Sequence, residues 1–458
     1  MVFQVAREII NIYLNKFQRV LLFCFLFLLP NWSYGVIVID VHTKSASPVR
    51  IGVITRSESI HEKKLEYFTN KIASDLKSIR IFNVHEEKNG NFDGHELLFN
   101  DGSESIFLSS LKKDGLEYFL LANPEWKEGN LFSVSIKLWN VKNKKLLFNG
   151  SLSIENSSLK QIAHSVADSV VLELFGYKEY FNSRILHIVH FKDQKGDRSK
   201  RLAIMDRDGS NLMYINDFNT VMTPTYSNKR KEMFYVTYAN GDARVKMLNI
   251  TNGKITDLSD IIPEIKGKQI LSPQVSKDGT KILFAMSNNC NTNIYLYTST
   301  GKKRVLRQVT NGGINVSPFF SPNGEEFIYG SDIGGRNAIY MLSIYGGRPR
   351  KVSNLNGSYF EPKWSPDGKK ILFTKSVKGR FYIGIMDNDG KNENILFSSY
   401  ITESPSWSPN GRALIFSYAR SPSEKRGLKI IDIEGREILE LHGDANLLDP
   451  FWFILQND

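Results

Sequence analysis

Cysteine is nearly missing from this chain. Cys24 and Cys290 are the only two in 458 residues, so no multi-bridge disulfide framework can hold the fold. Histidine is also thin, at eight, and none lies between His190 and His442. That empties the middle of the chain of its commonest metal ligand and general base. The motifs G-x-S-x-G, G-x-x-x-x-G-K-[ST] and H-E-x-x-H do not occur. The nucleophile elbow, the phosphate loop and the zinc-protease helix are thereby excluded. No apolar run approaches the roughly 20 residues that a membrane helix needs.

One shorter apolar run stands out, VLLFCFLFLL at 20–29, preceded by Arg7, Lys16 and Arg19 and followed by Pro30 and Ser33-Tyr34-Gly35. A basic region, about ten apolar residues and small side chains near the end are the parts of a cleavable secretory signal. Cleavage is expected after Gly35, leaving Val36 first; the competing reading is an uncleaved anchor. Cleavage removes Cys24, so the exported chain, with Cys290 alone, can form no internal disulfide. Its net charge of +11 falls to +9, since three basic residues and Glu8 leave with the leader. An exported protein is not expected to bind nucleic acid. The basic surplus suits anionic envelope surfaces, or it reflects only a Lys- and Asn-rich composition.

What the chain does have is a phrase written five times. Aligned on Pro, the copies are PTYSNKRKEMFYVT from Pro224, PQVSKDGTKILFAM from Pro273, PFFSPNGEEFIYGS from Pro318, PKWSPDGKKILFTK from Pro362 and PSWSPNGRALIFSY from Pro405. A sixth Pro, Pro450, opens PFWFIL near the end. Pro is expected to begin a strand, where its missing donor does no harm. Ser with Asp-Gly or Asn-Gly then makes a tight turn. The next strand is continuously apolar at its heart (MFY, ILF, FIY, ILF, LIF), which implies that both its faces are covered. A third strand runs into another turn, at Asn252-Gly253, Thr300-Gly301, Gly346-Gly347, Asp389-Gly390 and Glu434-Gly435.

Four-stranded units repeating every 43 to 49 residues with both faces buried are propeller blades. RILHIVH (184–190) and RLAIMDRDG (201–209) match strands two and three of a blade whose first strand follows Asp449. Five copies plus this composite give six blades, closed by the C-terminal strand. Residues 36–180 lack the phrase. They alternate strands such as PVRIGVITR (48–56) and a three-strand meander with helices at 62–79, with Leu65, Phe68, Ile72, Leu76 and Ile79 on one face, and at 159–175, ended by Gly176. The polar stretch 85–104 reads as a loop. The expected organisation is multidomain: a leader (1–35), a small N-terminal α/β domain (36–180) and an all-β six-bladed propeller (181–458).

Candidate chemistry is sparse. His187 and His190, three apart on a strand, point to opposite faces. DRDG (206–209) and DNDG (387–390) look like pieces of calcium loops but lack the completing Glu and fall where the repeat puts turns. His164 sits one helical turn from Asp168, as a surface or domain-contact pair. The residues just before each repeat Pro are expected to join one blade's outer strand to the next blade's inner strand, clustering at one rim. They are Thr223, Ser272, Ser317, Glu361, Ser404 with Glu403, and Asp449. Such a ring of loops is either a docking surface for a protein partner or simply solvated. No catalytic residue, metal or cofactor is assigned.

The order of these parts resembles the TolB family, periplasmic propellers of the Tol–Pal envelope system. The features that carry the resemblance are the leader, VIVIDV (36–41), PVRIGVI, an α/β domain ending IAHSVADSVVLELFG (162–176), and six blades stopping soon after P-x-W. The chain departs from the pattern in the first repeat, where SNKRKE replaces the Asp-Gly turn, and in its long polar loop. The resemblance implies a monomeric, non-enzymatic periplasmic adaptor. It would bind the lipoprotein Pal through the propeller rim, and TolA through Val36, Ile37, Val38, Ile39, Asp40 and Val41. It would serve envelope constriction at cell division and outer-membrane integrity, with other outer-membrane proteins as further candidate partners. The rival readings are enzymatic: a propeller-containing hydrolase, or a lactonase-type enzyme working in the channel.

Overall fold

The computed structural model describes residues 48–57, 60, 62–86, 104–127, 131–155, 158–192, 198–215, 221–239, 242–288, 291–301, 303–354 and 356–455. The leader, the strand 36–41, both cysteines and residues 87–103 of the polar stretch lie outside them. None of the described helices is long and apolar enough to cross a membrane.

The N-terminal part is one five-stranded sheet. β1 (Val49–Thr55) pairs in parallel with β2 (Phe82–Glu86) and with β3 (Tyr118–Lys127), and β3, β4 (Leu131–Asn140) and β5 (Lys145–Glu155) form the expected antiparallel meander. Alternation along β3 sorts its side chains to two layers. Leu120 and Ala122 meet Phe68, Ile72 and Leu76 of α1 (Glu62–Ser78). Phe119 and Leu121 meet Phe107, Leu108 and Leu111 of α2 (Glu104–Lys113), a helix the loop reading of 85–104 did not anticipate. α3 (Leu159–Phe175) joins α1 on the first face through Ile162, Val166 and Val170. A reciprocal Ser158–Gln161 capping box starts α3, and Gly176, at φ +76°, ends it.

Six four-stranded antiparallel sheets follow. Blades 1 to 5 span 221–257, 269–308, 315–351, 358–399 and 401–441. The sixth is the composite: the closing strand Asn446–Phe453 pairs with β6 (Arg184–Lys192), which pairs with β7 (Arg198–Asp206) and then β8 (Met213–Tyr214). The C-terminal closure read from the sequence is therefore the closure observed. An apolar cluster fills each of the six blade-to-blade gaps, including the one that joins the closing strand to blade 1 through Tyr226, Leu448 and Phe453. Second strands are buried on both faces, as their unbroken apolar runs require.

The repeated phrase works through one hydroxyl. Ser365 Oγ donates to Asp367 (2.6 Å) and accepts the Lys370 N–H (2.9 Å), while Gly368 takes φ +75°. The turns at Ser276, Ser321 and Ser408 repeat the arrangement. In the first repeat, where Asp-Gly is missing, the positive φ (+53°) moves one place on to Lys231. The turn keeps the same length and places its positive φ on a lysine in a sequence with no glycine to offer.

Candidate functional site

The six repeat prolines sit in the interior of the inner strands, fourth or fifth along, and not at their starts. At each of them the pairing with the second strand slips. A bulge is where a strand can lose a donor without loosening the ladder. The residue ahead of proline is barred from the ordinary helical region. Here Thr223, Ser272, Ser317, Glu361, Ser404 and Asp449 all take φ between +47° and +54°. For a side chain with a Cβ this costs on the order of 1 kcal/mol or more per residue.

These residues therefore do not lie in connecting loops, as the sequence reading had them. They line the channel wall. All six, with the prolines that follow them in every blade but the fourth and with Thr225, Gln274, Lys363 and Phe451, line a cavity of about 70 Å³. Glu403, one position before Ser404, does not line the cavity and pairs with Arg426.

The wall is lopsided. Thr223, Ser272 and Ser317 of blades 1 to 3 and Ser404 of blade 5 offer hydroxyls, whereas Glu361 of blade 4 and Asp449 of blade 6 offer carboxylates. Glu361 accepts the Ser404 N–H (2.6 Å) and the Thr374 hydroxyl (3.1 Å). The Ser404 hydroxyl donates to Asp449 (2.8 Å), which in turn accepts the Thr223 N–H (3.1 Å). Each carboxylate thus holds the strained backbone of the next blade. Glu361 and Lys363 are only partly exposed and are surrounded by protein. Burial raises the pKa of Glu361, and Asp449 adds to this against the pull of Ser404, Lys363 and Thr374. Burial lowers that of Lys363 against the pull of Glu361 and Asp449. Glu403 is raised by burial, countered by Arg426. The Thr223 and Thr225 hydroxyls are buried with no hydrogen-bond partner among the described residues. Among the described residues, no three His, Cys, Asp or Glu side chains converge to hold a metal.

A second constellation joins the N-terminal sheet to the propeller. His164 pairs with Asp75 of α1 (2.5 Å), buried, and not with Asp168. One turn further along α3, Asp168 instead accepts the Glu179 N–H (3.0 Å). Burial raises Asp168 to about 6, against backbone N–H groups of residues 179–181 and Arg207. The DRDG stretch is a turn, and it is also the contact: Lys160 reaches Asp206 (2.7 Å) and Lys71 reaches Asp208 (2.7 Å). Burial would raise Asp208, but hydrogen bonds from Lys71 and Ser210 overcome it and hold the carboxyl well below its ordinary range. Arg207 lies over Phe181 and Trp452, and Asn410 of blade 5 donates to Glu179. Nothing in the sequence separates this turn from DNDG at 387–390, which stays on the surface. His187 is fully buried and His190 only partly.

A family model described as TolB beta propeller domain matches residues 172–455. The Tol-Pal system protein TolB of Wolbachia sp. subsp. Drosophila simulans (strain wRi) is 29% identical over 444 residues, 96% of this chain and 99% of that protein. The protein of the same name from Gluconobacter oxydans (strain 621H) is 30% identical over 327 residues, 70% of each chain. Among solved structures, TolB from Acinetobacter baumannii is similar in fold, with a TM-score of 0.74 over 89% of this chain and 97% of that one, at 23% identity.

Proposed function

The chain belongs to the TolB beta-propeller family, and from that premise we propose that it is a periplasmic, non-enzymatic adaptor of the Tol–Pal system. On this reading the propeller channel receives Pal, and the extended segment Val36 to Val41 adds as a strand to the sheet edge of TolA. The adaptor then links inner-membrane TolA to the outer membrane during envelope constriction. The observation that carries the reading is the ring of six left-handed residues, one from each blade, converging on a single cavity. Strained positions held by a rigid scaffold are economical where they preorganise a binding surface. The small hydroxyl and carboxyl groups there suit hydrogen bonding to an inserted loop.

The test separates the two partners. Removing residues 36–41 is expected to abolish TolA binding and leave the propeller's melting temperature unchanged. Ser317→Tyr, which fills the channel, and Asp449→Asn are expected to weaken Pal capture at least about tenfold while TolA binding persists. Undiminished TolA affinity in the deletion rejects the strand assignment. Undiminished Pal capture in both channel variants rejects the channel.

A further inference from the structure

The chain's positive charge is concentrated in half of the ring. Residues 221–352, covering blades 1 to 3, hold eighteen Lys and Arg against nine Asp and Glu. Residues 353–455, built on the same repeat, hold thirteen of each, and residues 48–180 hold seventeen against eighteen. A compositional habit of the whole sequence would charge the equivalent repeats alike, so the asymmetry belongs to this region.

Topology decides where those charges point. In a four-stranded meander, the turn between strands one and two and the turn between strands three and four lie at the same end. On that end of the propeller the N-terminal domain is seated over blade 6, through Lys71 and Lys160 on the turn at 206–208, and over blade 5, through Asn410 and Glu179. Among the described residues nothing covers the same end of blades 1 to 3, and there Lys254, Lys277 and Arg348 on the turns and Lys303 and Arg304 at the start of blade 2's outer strand are all exposed. Adjacent blades are tied across this end: Arg230 on blade 1's first turn donates to the Gly279 carbonyl (3.4 Å), and Arg307 on blade 2's outer strand donates to the Ile344 carbonyl. The crescent is therefore a continuous surface and not a set of independent tips.

Its outer part also carries exposed apolar groups, including the most exposed large hydrophobic side chain among the described residues. Tyr345, at the tip of blade 3's last turn, is 78% exposed, and Val305, between Arg304 and Arg307 on the outer strand of blade 2, is 40% exposed. A purely polyanionic ligand would be met by the cations alone. Cations interspersed with an exposed tyrosine match the interfacial region of an anionic bilayer, where an aromatic ring sits at headgroup depth while lysines and arginines meet the phosphates. We propose that this crescent on the turn face of blades 1 to 3 docks the protein onto an anionic lipid surface. The proposal is independent of the two protein partners, since it uses neither the channel nor residues 36–41.

The experiment is co-sedimentation of the chain beginning at Val36 with vesicles of phosphatidylglycerol mixed into phosphatidylcholine, against phosphatidylcholine alone. Anionic vesicles are expected to bind it, less so as salt rises. Neutral vesicles are expected not to. At about fivefold per charge near an anionic leaflet, a variant carrying Lys254→Glu, Lys303→Glu and Arg348→Glu is expected to lose at least tenfold in partitioning. Its control carries the same charge change on the same face of blades 4 and 5: Lys369→Glu, Lys391→Glu and Arg436→Glu. That control is expected to fall far less. Tyr345→Ser is expected to lose severalfold on vesicles and nothing on inorganic polyphosphate. Equal losses in the two triple variants, or equal binding to neutral vesicles, overturns the proposal. So does a Tyr345→Ser variant indistinguishable from the parent on vesicles, which would assign the crescent to soluble polyanions.

Discussion

A chain ending at Asp444 is expected to lose the cooperative unfolding of its propeller at ordinary temperatures. The closing strand buries Leu447, Leu448, Trp452 and Phe453 between blade 5, β6 and blade 1. At about 1.5–3 kcal/mol for each large apolar side chain, those four alone account for roughly as much free energy as a whole domain's net stability of 5–15 kcal/mol. The loss is wider than the strand. Trp452 Nε1 donates to the Ser183 hydroxyl (2.8 Å), and Asp449 holds both Thr223 and Ser404. Without them β6 becomes an open sheet edge and two channel residues lose their anchor. Circular dichroism melting and limited proteolysis would read the effect. A peptide of residues 445–458 added in trans should restore part of it by mass action. A truncated chain melting within a few degrees of the parent would mean that the ring does not depend on its closure. Trp452→Ala is the milder version, expected to cost about 3–5 kcal/mol.

That closure was legible because each blade's signal is local and mechanical. Ser365, Asp367 and Gly368 make a turn by themselves, and ILF at 371–373 must be covered on both faces wherever it lies. Counting such units along the chain, and noticing that Pro450 begins one that residues 184–209 can finish, requires no long-range information. What was not legible is the pairing of side chains across large separations. His164 has Asp168 one turn away in sequence, yet the fold brings Asp75 of another helix to it. No local pattern distinguishes Asp206 and Asp208 from the equivalent pair at 387–389 until the N-terminal domain is seated on one of them. The position of the prolines was misjudged for a related reason. Pro does favour strand starts, but a bulge tolerates it as well, and only the register with the second strand shows which device is in use. The helix at 104–113 was hidden beside a polar run rich in Gly and Asn, with Ile106 outside its buried stripe and 68% exposed.

Replacing His187 by leucine is expected to stabilise the protein increasingly as the pH falls. His187 lies on β6 between Ile185 and Val189, fully buried. Neither ring nitrogen has a hydrogen-bond partner among the described residues. Burial lowers its pKa to about 4, against only a weak pull from the Ile185 backbone, too poorly placed to form a hydrogen bond. The unfolded chain binds that proton near the ordinary value of about 6.5. Between those two values the unfolded state holds more protons, so stability drops as pH falls through the window, by about 3 kcal/mol in all. Asp168 acts in the opposite sense. Its folded value of about 6 lies above its unfolded one, so its contribution is present at low pH and is lost as pH rises through 6. In the parent chain the two groups oppose each other between pH 4 and 6, and the net slope hides both. The variants separate them. Measured by chemical denaturation at pH 7, 6, 5 and 4, the stability advantage of His187→Leu over the parent should grow by about 3 kcal/mol toward pH 4. Any advantage of Asp168→Asn should shrink over the same range. A His187→Leu difference that stays level across the series would show that the imidazole is not held neutral by burial, and the packing between blades 5 and 6 would then have to admit water or a proton acceptor.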